Sequence, residues 1–267
     1  MTHFTTIHLF TCFLTITNVS VSAVKIIEMK VPEIIQMGGQ DSVVLDCDYV
    51  TDDTAGLVVK WFFKNKTQPV YQWIPTKKPQ ELGILRGKLD LSYTASDDAF
   101  KAHRALRIVN PGTELSGEYT CVVSTFMAED KKTKHMTVFV PERNFRLVQD
   151  KQQEDSVKVM CSADGMYPRP NITITTPDSG RLDGISTSIT PSGGRFDAVS
   201  WVLLRDDILP SPTEFVCELR IPQANYVVKK ESRRKNILPT RKDPPNAVKC
   251  PSPPDLRCHS LAKANTY

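Results

Sequence analysis

At 267 residues, 40% of them hydrophobic and 24% charged, the chain is long enough to bury one or two real cores and too apolar to be disordered. Nineteen prolines against twelve glycines disfavour a helical fold and point to β-structure with many turns. A formal net charge of +4 is too mild to argue for nucleic-acid binding.

Residues 1–23 read as a secretory signal. "IHLFTCFLTITNVSV" is apolar but shorter than a membrane span, and it leads into the small-residue site Val21-Ser22-Ala23. The basic leader that usually precedes such a stretch is absent. No later run reaches the ~18 apolar residues that a spanning helix requires. The expected product is therefore secreted, extracellular and not membrane-spanning as written. Losing Cys12 with the signal leaves six of the seven cysteines, an even number suited to disulfides in an oxidising compartment.

Residues 24–141 form the first predicted domain. In "SVVLDCDYV" the residues Val43, Leu45, Cys47 and Tyr49 share one parity, as on a strand whose cysteine faces a core. Trp61 follows in "VVKWFF", Leu106 and Ile108 in "HRALRIVN", and Tyr119 stands two residues before Cys121 in "ELSGEYTC". Cys, Trp and Tyr-x-Cys in this order are the arrangement of an immunoglobulin sandwich. Its inter-sheet disulfide packs on the buried indole, and the tyrosine hydroxyl closes a corner. The long interval between Cys47 and Cys121 leaves room for the two extra strands of a variable-type domain.

The stretch "KWFFKNKTQPVYQWIP" reads as a hairpin with aromatics on both parities. Trp61 must point inward, taking Phe63 with it and turning Phe62 outward. On the second arm Val70 and Ile74 are the expected core pair, since branched aliphatics fill a sandwich well. That places Tyr71 and Trp73 beside Phe62 on the outer face as a partner-binding cluster. Phe126 and Met127, in the loop after Cys121, extend it, with Lys131, Lys132 and Lys134 at its rim. The sequon "NKT" at Asn65 lies in the turn and is a predicted glycan site.

Residues 142–230 form a second, constant-like sandwich around Cys161 and Cys217. It has lost two landmarks. No tryptophan follows Cys161, so Ile172 or Ile174 must fill the core, and Phe215 stands where the corner tyrosine would be. Trp201 is expected to pack from a different strand. The sequon "NIT" offers Asn171 as a second glycan site.

The composition turns basic and proline-rich at Lys229, and residues 231–267 read as an unstructured tail. Its charge suits a solvated extension or attachment to anionic glycans. Cys250 and Cys258 bracket "PSPPDLR"; a local disulfide loop is favoured over a bridge between chains.

Catalytic signatures are missing. The sequence contains no H-E-x-x-H, no G-x-S-x-G and no phosphate-cradling or dinucleotide glycine loop, so neither enzyme activity nor a cofactor is expected.

The runs "VVLDCDYV", "VYQWIP" and "LSGEYTC" together resemble the beaten path (Beat) family of arthropod immunoglobulin proteins. The shared features are an aromatic-x-aromatic-x-Pro run (Tyr71, Trp73, Pro75) and Leu115 before Ser116-Gly117 in place of the usual aspartate. The resemblance implies a signal, two immunoglobulin domains, and binding to a cell-surface immunoglobulin receptor (Side-like) during adhesion, axon guidance or synaptic matching. Two alternatives stand beside it: a butyrophilin-like immune or haemolymph recognition molecule, and a matrix component retained by its basic tail.

Overall fold

The structure, a computed structural model, describes residues 23–234 except 65, 66, 154, 178, 179, 206 and 208. The signal, Asn65 and the Cys250/Cys258 pair lie outside the described residues. No helix among the described residues is long and apolar enough to cross a membrane.

The first domain contains β1 (Val24–Lys30), β2 (Ile34–Gln36), β3 (Ser42–Thr51), β4 (Val58–Phe63), β5 (Tyr71–Trp73), β6 (Gln80–Glu81), β7 (Leu106–Val109), β8 (Gly117–Ser124) and β9 (Glu129–Phe139). One sheet has the order β1-β3-β7, and the other runs β2-β9-β8-β4-β5-β6. This is a variable-type plan, with β5 and β6 as the additional strands. Strict alternation in β3 turns Val43, Leu45, Cys47 and Tyr49 inward. The two sheets close over Leu45, Trp61, Tyr119 and the Cys47–Cys121 disulfide, all fully buried. The Tyr119 hydroxyl donates to the Leu115 carbonyl at 2.9 Å, closing the expected corner, and burial pushes the phenol's pKa upward.

The connection from β6 to β7 is mostly irregular, and buried aromatics hold it down. Trp61 Nε1 donates to the Arg104 carbonyl at 3.1 Å, Tyr71 Oη to the His103 carbonyl at 2.7 Å, and Tyr49 Oη to the Phe100 carbonyl. From the outer side the Arg104 guanidinium grips Asp46 at 2.9 and 3.0 Å and also bonds Asp48. Three ring donors satisfy backbone acceptors that a strand ladder would otherwise have to pair.

The second domain contains β10 (Arg143–Gln153), β11 (Ser156–Met166), β12 (Asn171–Thr176), β13 (Gly180–Arg181), β14 (Ser186–Ser192), β15 (Arg195–Arg205), β16 (Thr213–Ile221) and β17 (Tyr226–Arg234). Its sheets have the orders β10-β11-β15-β14 and β13-β12-β16-β17, a constant-type plan bridged by Cys161–Cys217. Ile174 pairs with Cys217 as Trp61 pairs with Cys121, so the isoleucine occupies the register of the missing indole. Ile172, Ile174 and Phe215 are all buried.

Two expectations need correction here. Trp201 points out of β15 into solvent and packs into neither core. The basic run from Lys229 to Arg234 is ordered as β17, so the sandwich extends past residue 230. Its charges are met across the strand, with Lys229 on Glu218 at 3.1 Å and Arg233 on Glu214 at 3.6 Å.

The two domains join without a free linker. Phe139, at the end of β9, is buried in the second core against Tyr226. Val140 and Tyr167 exchange backbone hydrogen bonds at 2.8 and 3.1 Å. The Tyr226 hydroxyl donates to Glu142 at 3.2 Å; burial, reinforced by that carboxylate, pushes its pKa up to about 12.

Candidate functional site

The outer face of the six-stranded sheet is assembled from alternate residues of β4, β8, β9 and β5. The register fixes its rows. Val58 stands beside Ser124 and Glu129; Gln72, Lys60, Val122 and Lys131 form the next row; Phe62, Thr120 and Thr133 the one after. Rows two residues apart are spaced about 7 Å along the strand. Val58, Val122 and Phe62 therefore form a half-buried apolar strip with Lys60 and Lys131 within it and at its edge. Beyond it, exposed Ile74 borders a shallow recess of about 400 Å³ lined by Gln72, Lys77, Lys78 and Gln80.

The aromatic cluster expected on this face divides. Phe62 lies there, half-buried. Tyr71 and Trp73 do not: each is only 2% exposed and points into the core. Cross-strand partners share a face, and Trp61 pairs with Tyr71 while Val59 pairs with Trp73. Once Trp61 is inward, both aromatics must follow. Ile74 takes the outward position instead, at 41% exposure, and Val70, just before β5, is buried facing Gly83. Trp73 meets His103 edge-on at 5.6 Å between centroids, and its Nε1 has no hydrogen-bond partner among the described residues.

At the end of the sheet, the loop joining β8 to β9 presents Phe126 at 81% exposure and Met127 at 75%. The loop backbone is held from both sides. Thr125 N donates to the Ala128 carbonyl at 2.8 Å, Thr125 Oγ1 accepts from the Met127 and Ala128 amides at 3.3 and 3.2 Å, and Phe126 N donates to the Ala55 carbonyl at 3.1 Å. The Phe126 ring lies across Gly56, where a Cβ would come within 2.5 Å of ring carbons. Gly56 also has φ +71°, so this position requires glycine twice over. Two large apolar side chains are thus displayed on backbone that is already ordered, which lowers the entropy lost when they are covered.

Asn171 opens β12 and is exposed on the outer face of the second domain's other sheet. Val122 and Ile74 were missed by sequence reasoning. Val122 had a readable signal, because Cys121 inward forces its neighbour outward.

Against known proteins, human butyrophilin subfamily 1 member A1 is 24% identical over 175 residues, 64% of this chain and 32% of that protein. The chain thus spans about a third of that relative's length. A crystal structure of bovine butyrophilin superposes with a TM-score of 0.62 at 19% identity, covering 80% of this chain and 98% of that one. The fold is a tandem pair of immunoglobulin domains. No protein-family model matches the chain. The likeness to butyrophilins supports the immunoglobulin fold and leaves the narrower Beat resemblance to the residues that carry it.

Proposed function

We propose that this immunoglobulin-type chain is a secreted recognition protein that binds a cell-surface immunoglobulin receptor through the outer β4–β8–β9 face of its first domain and the Phe126–Met127 tip. The observation that carries this reading is the tip: two large apolar side chains displayed on a loop fixed by four hydrogen bonds, continuous with an apolar strip edged by lysines. An apolar centre with a charged rim is the usual anatomy of a protein interface. Anchors of this kind dominate binding energy. Tyr71 and Trp73 have no part in it.

The receptor would be found by screening the chain against a library of extracellular immunoglobulin domains. Phe126→Ala with Met127→Ala is expected to weaken the resulting complex at least tenfold while leaving thermal stability unchanged. An affinity within twofold of the unmodified chain would overturn the site.

The axon-guidance setting rests on the Beat resemblance, and the likeness to butyrophilins favours an immune setting. Expression in neurons supports the first; expression in blood cells or fat body supports the second. A matrix role through anionic glycans loses part of its basis, because Lys229 and Arg233 of β17 are ion-paired with Glu218 and Glu214 of β16. Heparin retention that survives deletion of residues 235–267 would remove the remainder.

A further inference from the structure

The second domain's two sheets present very different outer faces. On the β12–β16–β17 side the outward residues Asn171, Thr173, Glu218, Arg220, Lys229 and Glu231 are polar or ion-paired, and the outward Val216 and Val227 stand singly among them, separated by the Glu218–Lys229 row. The β10–β11–β15–β14 side carries an apolar row across the strands: Val148, Met160 and Trp201 are directly paired, ending at Ser186. Trp201 is 37% exposed, its ring lies 4.9 Å from the Lys158 ammonium, and Leu203 one row on is 55% exposed. Val148, at the other end of the row, is 42% exposed.

The rows on either side complement each other. One contains Asp150, Lys158 and Leu203; the other contains Arg146, Ser162 and Val199. Consider a two-fold axis lying in the face along the Val148–Met160–Trp201 row. It sets that row on its own copy and lays each flanking row over the opposite one. Asp150 then meets the second copy's Arg146, Lys158 meets Ser162, Leu203 meets Val199, and the two indoles stack at the centre. Each ion pair occurs twice, and no like charges are brought face to face. Isologous pairing demands this self-complementarity.

The available area is sufficient. Four strands at ~4.8 Å spacing over about eight paired residues present roughly 500 Å² per copy, about 1,000 Å² for a pair, at the lower end of specific interfaces. We infer that the chain forms a two-fold dimer through the β10–β11–β15–β14 face of its second domain, with Trp201 at the centre and Asp150–Arg146 pairs at the edge. Dimerisation would give each assembly two first-domain tips, so that weak single-site recognition gains avidity. This inference does not depend on the first-domain site.

Sedimentation velocity on the full secreted chain tests it. The expected result is a concentration-dependent dimer with a dissociation constant in the micromolar range, and Trp201→Glu raising that constant at least thirtyfold. Asp150→Arg alone should weaken the dimer about tenfold, and adding Arg146→Asp in the same chain should restore it. That restoration is a result no loss of folding could mimic. Phe126→Ala should leave the dimer intact. A chain that stays monomeric up to about 100 μM, or a dimer insensitive to Trp201→Glu, would overturn the inference, as would a double charge exchange no better than the single one.

Discussion

The two buried indoles of the first domain give a sharp test of how it is held together. Trp61 donates its ring proton to Arg104, whereas Trp73 buries the same group without a partner among the described residues. Replacement by phenylalanine removes about 40 Å³ of ring at either site, costing about 1–2 kcal/mol in lost transfer and residual cavity. At Trp61 the change also forfeits a hydrogen bond and strands the carbonyl it satisfied, adding about 1 kcal/mol. At Trp73 it removes a buried, unsatisfied donor whose presence costs about 1–3 kcal/mol, so the two effects nearly cancel. Trp61→Phe should therefore destabilise by about 2–3 kcal/mol and Trp73→Phe by about 1 kcal/mol or less. For a unit of some two hundred residues a difference of about 2 kcal/mol is about 4–8 °C in Tm. Differential scanning calorimetry of the two full-length variants measures it directly. A Trp73→Phe variant that melts at or below the Trp61→Phe variant would refute the hydrogen-bond accounting.

Further consequences can be checked in the same preparations. Tyr71→Ala empties a core site and should cost about 3–5 kcal/mol in a urea titration, where a surface aromatic would cost under about 0.5 kcal/mol. Ile174→Trp, although it restores the residue usual at that register, should destabilise the second domain by about 1–3 kcal/mol, because the surrounding core has closed around the smaller side chain. Gly56→Ala should displace the Phe126 ring and weaken receptor binding without unfolding the domain, which a crystal or NMR comparison of the loop would reveal. Glu218 is held below the ordinary carboxylate range, first by its hydrogen bond from Arg220 and then by Lys229. A pKa depressed by folding contributes stability above the ordinary range and loses it as pH falls through the folded value. Glu218→Gln should accordingly show a smaller drop in Tm between pH 7 and pH 3 than the unmodified chain.

Much of this architecture was legible because a half-buried strand writes its face as a period of two. "SVVLDCDYV" alternates cleanly, and Cys47, Trp61, Tyr119 and Cys121 each occupy the position their spacing implied. The hairpin was not legible in the same way. Its second arm contains Val70, Tyr71, Trp73 and Ile74, so both parities are apolar and alternation gives no preference. Only the register set by the connection between the arms decides, and a slip of one residue would have exchanged every side chain between core and solvent. The rings went inward because β5 pairs with β4 in the register that sets Tyr71 opposite Trp61 and Trp73 opposite Val59; Tyr71 then finds the His103 carbonyl, a long-range partner that no local pattern encodes. The outward Trp201 was misread for a related reason: a tryptophan on a sandwich strand suggests core, and its parity becomes apparent only once Ser200 and Val202 are seen to take the inner positions. In β17 the density of lysine and arginine masked a strand, since the neutralising acids Glu214 and Glu218 lie on β16.

Phe139 belongs to the first sandwich by strand and to the second by burial. Cutting the chain at residue 141 would leave that ring without its surroundings on either fragment, exposing apolar surface at the end of one piece and opening a hole in the other. The two halves thus share a piece of core, and recombinant work that treats them as separable modules would begin with two damaged ones.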